Sequence, residues 1–253
     1  MMALPLIVYQ NLWRDGAILA VTTEAAQFSA EYTQDDSPQL CWRSTAIAAE
    51  QDIDCDLGAA HEYDFVALLN HNLTSGATIV IKGADDAGFT TGVVSDTLTF
   101  NGNNLYEILG TARTKRYVRI ALTDAANPSG YLRVGTIVVG KGNALNRGPS
   151  VPYQRGLFNE TEIEYSPSAN LFTVQERPSL DNKALLFTGL NDASELIVEA
   201  VLETCGSHVA WALCLDSAAP NTNSYWVHLK SQELPECQHV NYWNWPAEIE
   251  EIL

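Results

Sequence analysis

Several groups of residues in this chain have the types needed for chemistry, and their spacing decides how far each goes. Gly135-Thr136-Ile137-Val138-Val139-Gly140-Lys141-Gly142 approaches the spelling of a phosphate-binding loop. The position that should offer a hydroxyl to a metal is Gly142, however, and the intervening residues are β-branched strand formers, so the stretch reads as a strand. Cys205, His208, Cys237 and His239 are zinc-ligand types at looser spacing than paired zinc motifs show, and Cys205 is already placed by the apolar stripe of a helix. His71 stands between two asparagines in a tight connection, where a turn histidine bonded to backbone is the ordinary outcome. Asp52, Asp54 and Asp56 could hold a cation, but strand alternation accounts for them as a solvated face. No serine, cysteine or aspartate stands in a nucleophile motif with a base partner, so no enzyme is expected.

The elements that carry these residues are legible from periodicity. In Asp52–Leu57, Ile53, Cys55 and Leu57 point one way and the three aspartates the other. Tyr63 to Leu69 is apolar nearly throughout, as a central strand covered on both faces would be. Asn70 to Gly76 supplies turn formers, and Ala77 to Ile81 returns as a β-branched strand. Downstream, Val118, Ile120 and Leu122 alternate with Arg119 and Ala121. Asn127-Pro128-Ser129-Gly130 then turns the chain into a second long strand, and Asn101-Gly102 reads as a hairpin turn.

The segments DLG…YDFVALLNHNLTSGATIVIKG, from Asp56, and RYVRIALTD…SGYLRVGTIVVGK, from Arg116, resemble the galactose-binding-like, or discoidin-type, jelly roll. More narrowly, they are similar to the version found in virion proteins of tailed bacteriophages. Asp35-Asp36-Ser37-Pro38-Gln39-Leu40-Cys41-Trp42-Arg43 resembles the acidic loop that leads into a buried Trp in that fold. The resemblance spans roughly the first 140 residues and bears on fold more than on activity. It implies that Trp42 is buried under the strands at Ile53–Leu57 and Val118–Leu122, and it makes Asp35 and Asp36 candidates for a structural calcium. The sequence departs from sugar-binding members in showing no clear set of loop residues for a ligand pocket.

The 253 residues allow one large or two modest domains at ~150 residues each. Gly142 to Gly156 crowds glycine, proline and asparagine, which sets a boundary. The expectation is mainly β: an N-terminal jelly-roll β-sandwich over 1–142, a linker over 143–156, and a smaller α+β domain over 157–253. Asn159 to Gln175 suggests two strands around Ser166-Pro167-Ser168, and Ala184 to Leu190 another. The clearest helix is 192–205, with Asp192 as N-cap, Glu195 closing a capping box, and Gly206 after the last turn. Its apolar stripe is read as Leu196, Ile197, Ala200, Val201 and Cys205, with Glu195, Glu199 and Glu203 opposite. Pro246 opens a short terminal helix, Ala247 to Leu253.

Net charge is −17, from 14 basic and 31 acidic residues. Up to Pro149 there are 10 basic and 16 acidic residues, a balance of −6; beyond it, 4 and 15 give −11. Such a field argues against nucleic acid. The basic cluster Arg113, Lys115, Arg116 and Arg119 reads as a strand entry that offsets nearby acids. The apolar opening Met1–Tyr9 lacks a basic flank and is too short for a signal peptide, and no run is long enough for a membrane span. Five irregularly spaced cysteines read as reduced, mostly buried thiols, and the sequons at Asn72 and Asn159 carry no meaning in a chain that is not secreted.

These readings give a non-enzymatic structural component of a phage virion, in the tail, tail tip or baseplate, made in the host cytoplasm. Its partners would be copies of itself and other tail proteins. Tyr242, Trp243, Trp245, Ile249 and Leu253 are the interface candidates, because clustered aromatics mark binding hot spots. The alternative is a carbohydrate-binding module recognising a host glycan, with Tyr153, Tyr131 and Trp13 as stacking platforms.

Overall fold

The computed structural model describes residues 3–47, 49–102, 104–150, 154–158, 161–165, 171–176 and 180–252. In chain order the first strands are β1 (Leu6–Val8), β2 (Ala17–Val21), β3 (Trp42–Arg43), β4 (Gln51–Leu68), β5 (Thr78–Ala84) and β6 (Val94–Leu98). They continue with β7 (Leu105–Thr123), β8 (Arg133–Val134), β9 (Ile137–Gly140) and β10 (Asn143–Ala144). Then come β11 (Gln154–Phe158), β12 (Thr161–Tyr165), β13 (Leu171–Glu176), β14 (Leu180–Leu190), helix α1 (Asp192–Thr204) and β15 (Trp211–Cys214). A short helix α2 (Pro220–Asn223) leads to β16 (Ser224–Leu229), β17 (Glu236–His239) and β18 (Tyr242–Glu251). The chain is mainly β, as expected.

Its compact units are Met1–Leu145 with Trp211–Ser224, and Asn146–Ala210 with Tyr225–Leu253. This corrects the contiguous division at 142 and 157. β15 pairs with β1 through Leu6↔Cys214 and Val8↔Ala212, and Asn221 Oδ1 accepts the Tyr106 N–H at 2.8 Å. Residues 143–144, expected in a linker, pair with β1 as β10. Edge-strand pairing draws both segments into the first unit, and a boundary read from Gly and Pro content cannot register it.

The first unit is a β-sandwich built on β4. The main sheet runs β2-β4-β7-β5-β6, with β9 added to the far end of β4. Because β5 lies between β6 and β7, Asn101-Gly102 does not close a hairpin between neighbours. Inward alternation from β4 and β7 (Ile53, Cys55, Leu57; Val118, Ile120, Leu122) forms one core with Trp13, Trp42, Leu132 and Val134. Trp42 is fully buried, and its indole N–H donates to the Thr23 carbonyl at 3.1 Å. Gly135 is required by close approach, since a side chain there would meet the Pro38 and Leu69 carbonyls.

In the second unit β14 pairs with β11 and β18, and β18 also pairs with β16 and β17; β12 and β13 form a separate hairpin. Ser166-Pro167-Ser168 lies outside the described residues. Helix α1 differs from its reading in two ways. Its N-cap is Asn191, whose side chain accepts the Ser194 N–H, and its buried line is Ser194, Glu195, Val198 and Val201 with Cys205. Leu196 is 61% exposed. The true face is rotated by about one position, because side chains cover the turn before their own Cα. Gly206 adopts φ +55 just past the helix, as a C-terminal cap requires.

The terminal helix is replaced by β18. Trp245, Ala247 and Ile249 are buried with period two, which the local helix signal from Pro246 concealed. Pro246 faces Leu186 on β14. On its other side it falls between the β17 register at Asn244 and the β16 register at Ile249. Its missing N–H is therefore not required there.

Candidate functional site

The interface candidates do not form one surface. Trp245 and Ile249 are each 1% exposed and belong to the core of the second unit. Trp245 stacks on Phe187 at 5.5 Å and donates to the Glu233 carbonyl. Trp243 donates to Asp192 Oδ1 at 2.9 Å, Tyr242 is partly exposed, and Leu253 lies outside the described residues. Trp245 and Ile249 lie with Ala247 on the strand face that is turned into the core, so aromatics adjacent in sequence do not make one exposed surface.

Asp35 and Asp36 are both engaged close to their own loop. Asp35 accepts its own turn's Ser37 N–H at 2.7 Å, and Asp36 lies 3.5 Å from the Arg14 guanidinium. Among the described residues no three His, Cys, Asp or Glu side chains gather for a metal. Cys205 is buried, and the exposed Cys237 thiol contacts the His239 carbonyl. Of the stacking platforms, Trp13 is fully buried and donates to Thr33 Oγ1, and Tyr153 lies outside the described residues. Only Tyr131 remains.

The outer face of β4 and β7 carries a shallow depression of about 160 Å³ lined by Ala20, Val21, Thr22, Asp52, Asp54 and Arg119. It is ion-paired rather than simply solvated. Arg119 grips Asp54 with two hydrogen bonds of 2.6 and 2.7 Å and reaches Asp52 at 3.2 Å. Arg116 holds Asp56 the same way, with both bonds at 2.8 Å. Burial raises the Asp52 pKa, and the Arg119 charge opposes that rise. The guanidinium donors here are already satisfied, so the depression is a lock across the strands.

A different place on the first unit has donors left over. In the two-stranded ribbon β3–β8, Trp42 faces Val134 and Arg43 faces Arg133. Trp42 and Val134 are fully buried, so strand alternation turns both arginines outward. The Arg43 guanidinium lies 3.4 Å from the centre of the Tyr131 ring and 5.5 Å from that of Phe28. Arg133 donates from Nη2 to Asn70 Oδ1 at 3.0 Å, while its Nε is buried without an acceptor.

The ledge is set rigidly. Ser44 N–H donates to the Leu132 carbonyl at 2.9 Å, and Leu132 N–H returns to Ser44 Oγ at 2.8 Å. Asn72 accepts the Arg133 N–H at 2.7 Å and donates to the Tyr131 carbonyl at 2.9 Å. Asn70, at φ +50, donates to the Pro38 carbonyl at 2.7 Å, which fixes the amide that receives Arg133. Beneath the ledge, burial pushes up the Cys41 thiol pKa, against the opposing charges of Arg133 and Arg43. His71, 1% exposed, is pushed down to about 4 chiefly by burial, with Arg133 acting in the same direction.

Every other lysine and arginine described in this unit has a carboxylate within 4.0 Å. Arg14 meets Asp15, Lys82 meets Glu50, Arg113 meets Asp96, Lys115 meets Asp85, and Lys141 meets Glu62, alongside Arg116 and Arg119. Within this unit, Arg43 and Arg133 alone make no ion pair among the described residues. The sequence showed each arginine but not the pair, because they lie 90 positions apart and meet only through the β3–β8 register.

No family model and no curated protein matches the chain. Among solved structures, it is similar over 51% of its length to chitosan-binding module 1 of a chitosanase/glucanase from Paenibacillus sp. IK-5, at 25% identity and TM-score 0.43, with 98% of that chain covered. Chitosan-binding module 2 of the same enzyme, in complex with chitotriose, gives 21% identity and TM-score 0.43, covering 51% of this chain and 99% of that one. The lectin binding domain of Lectinolysin, complexed with Lewis b, gives 16% identity and TM-score 0.43, covering 52% and 96%.

Proposed function

We propose that this chain is a non-catalytic saccharide-binding module whose contact surface is the Arg43–Tyr131 ledge. One observation carries the reading. Arg43 lies against Tyr131 at 3.4 Å, Arg133 stands opposite it across the strand pair, and neither has a carboxylate partner among the described residues. Sugars present flat C–H faces and rings of hydroxyls, so they are recognised by aromatic or planar cationic faces beside fixed hydrogen-bond donors. The ledge supplies both on a strand pair that needs no rearrangement to bind. The test is a glycan microarray probed with the purified protein and with Tyr131→Ala. Retention of selected saccharides by the wild type, with loss of at least about tenfold in the variant, supports the reading. Retention of no saccharide at all refutes it.

A second reading places the chain in the tail of a phage virion, made in the host cytoplasm and contacting copies of itself and other tail proteins. It is favoured by the sequence resemblance of Asp35–Arg43, Asp56–Gly83 and Arg116–Lys141 to tailed-phage virion proteins. The two are compatible, since a tail component that binds a host glycan does both. Particle fractionation tests this part: recovery as a stoichiometric component of assembled tails supports it, and exclusion from particles refutes it.

A further inference from the structure

Resting on the saccharide reading, we propose that the ledge selects acidic sugars, with the Arg43 and Arg133 guanidinium groups together taking a carboxylate of the glycan. The argument begins with charge. The protein carries −17 overall, so its general field repels anions, and an attraction for one must be local. Screening makes a local pair sufficient, because at physiological salt charges beyond ~8 Å count for little. In this unit the described cations other than Arg43 and Arg133 are neutralised by partners, and these two stand directly opposite each other across a strand pair. Like charges in opposed positions repel, and that repulsion is relieved when an anion sits between them.

Geometry narrows the anion further. With Tyr131 on its face, the Arg43 guanidinium makes its contacts along its edge, where its N–H donors lie in one plane. A carboxylate matches such an edge with two parallel hydrogen bonds. Arg133 is steadied by Asn70 at Nη2 and its Nε is buried, so an anion would meet this group at its Nη end. Asn70 and Tyr131 would then lie along the neutral part of the sugar, which is where the two proposals join.

The test uses the full chain and three probes. These are a galacturonate trisaccharide, its carboxyl-reduced neutral counterpart, and a sulfated trisaccharide of equal length, each titrated by calorimetry at physiological salt. The wild type should bind the carboxylated probe about ten- to hundredfold more tightly than the reduced one, the range expected of hydrogen bonds to a charged group. Arg133→Gln should bring that ratio below about threefold, whereas Lys141→Gln, which alters a cation paired with Glu62, should keep it. A thermal melt of Arg133→Gln reports folding. If that variant does not fold, the ratio in Arg43→Gln and the salt dependence of the wild type decide instead. Equal binding of the carboxylated and reduced probes overturns the selectivity and leaves the saccharide reading standing. Preference for the sulfated probe overturns the assignment of a carboxylate. Failure to bind all three, when the microarray also shows no saccharide, overturns both.

Discussion

Trp42→Ala should be the most damaging single substitution near the ledge. The side chain is fully buried among Ile53, Cys55, Val118 and Leu132, and its N–H is bonded to the Thr23 carbonyl at 3.1 Å. An indole buries on the order of 200 Å², worth ~5 kcal/mol at ~25 cal/mol per Å². Aromatic truncations in cores cost ~3–5 kcal/mol once partial collapse is allowed. The stranded Thr23 carbonyl, close enough to solvent to recruit water, adds ~1 kcal/mol at most. We therefore expect a loss of about 4 kcal/mol. At ~2 kcal/mol per molar urea this moves the first unit's midpoint down by ~2 M, monitored by near-UV circular dichroism. Trp42→Phe keeps most of the area and should lose only ~1–2 kcal/mol. Because Trp42 neighbours Arg43 on the same strand, the alanine variant should also lose saccharide binding, while the phenylalanine variant keeps it. A midpoint within ~0.3 M of wild type for Trp42→Ala would refute the core described here.

His71 is held neutral in the fold at a pKa of about 4, below its unfolded value near 6.5. Its contribution is therefore complete above pH 6.5 and is lost as pH falls through 4, by ~3 kcal/mol. In urea melts at pH 7 and pH 4, His71→Gln should remove that share of the acid sensitivity, and an unchanged pH slope would contradict it. Arg119→Ala strands the nearly buried Asp54 carboxylate, 7% exposed, and should cost ~2–4 kcal/mol. Arg116→Ala, at a 44% exposed arginine, should lower the midpoint much less than Arg119→Ala, and equal urea midpoints for the two would show the lock to be idle. Deleting Trp243–Leu253 removes most of β18, which is paired on both edges, and should leave the second unit unfolded by proteolysis and circular dichroism. A cooperatively folded product would instead make that segment a free interface strand.

Where local pattern and tertiary burial agree, the sequence is a good guide. Ile53, Cys55 and Leu57 alternate inward as read, and Trp42 lies beneath them. The basic cluster of β7 does offset nearby acids, since Arg113, Lys115, Arg116 and Arg119 each meet an aspartate. Failures occur where partners are remote. Nothing around Pro246 reports that β18 runs between β14 and the strands β16 and β17, so Trp-Pro-Ala-Glu reads locally as a helix start. Nothing in Trp211–Cys214 reports that its edge partner is Leu6–Val8. The ledge has the same character. In the sequence Arg43 reads as the end of an acidic loop and Arg133 as part of a long strand, and only the β3–β8 pairing sets the two cations opposite each other.

The most direct test of the saccharide reading is a backbone-amide NMR titration of the full chain with a saccharide retained on the microarray. The account predicts saturable shifts centred on Phe28, Arg43, Asn70, Tyr131 and Arg133, abolished by Tyr131→Ala in a protein that keeps its spectrum elsewhere. Saturable shifts confined to other surfaces, with the ledge amides unmoved, would contradict it.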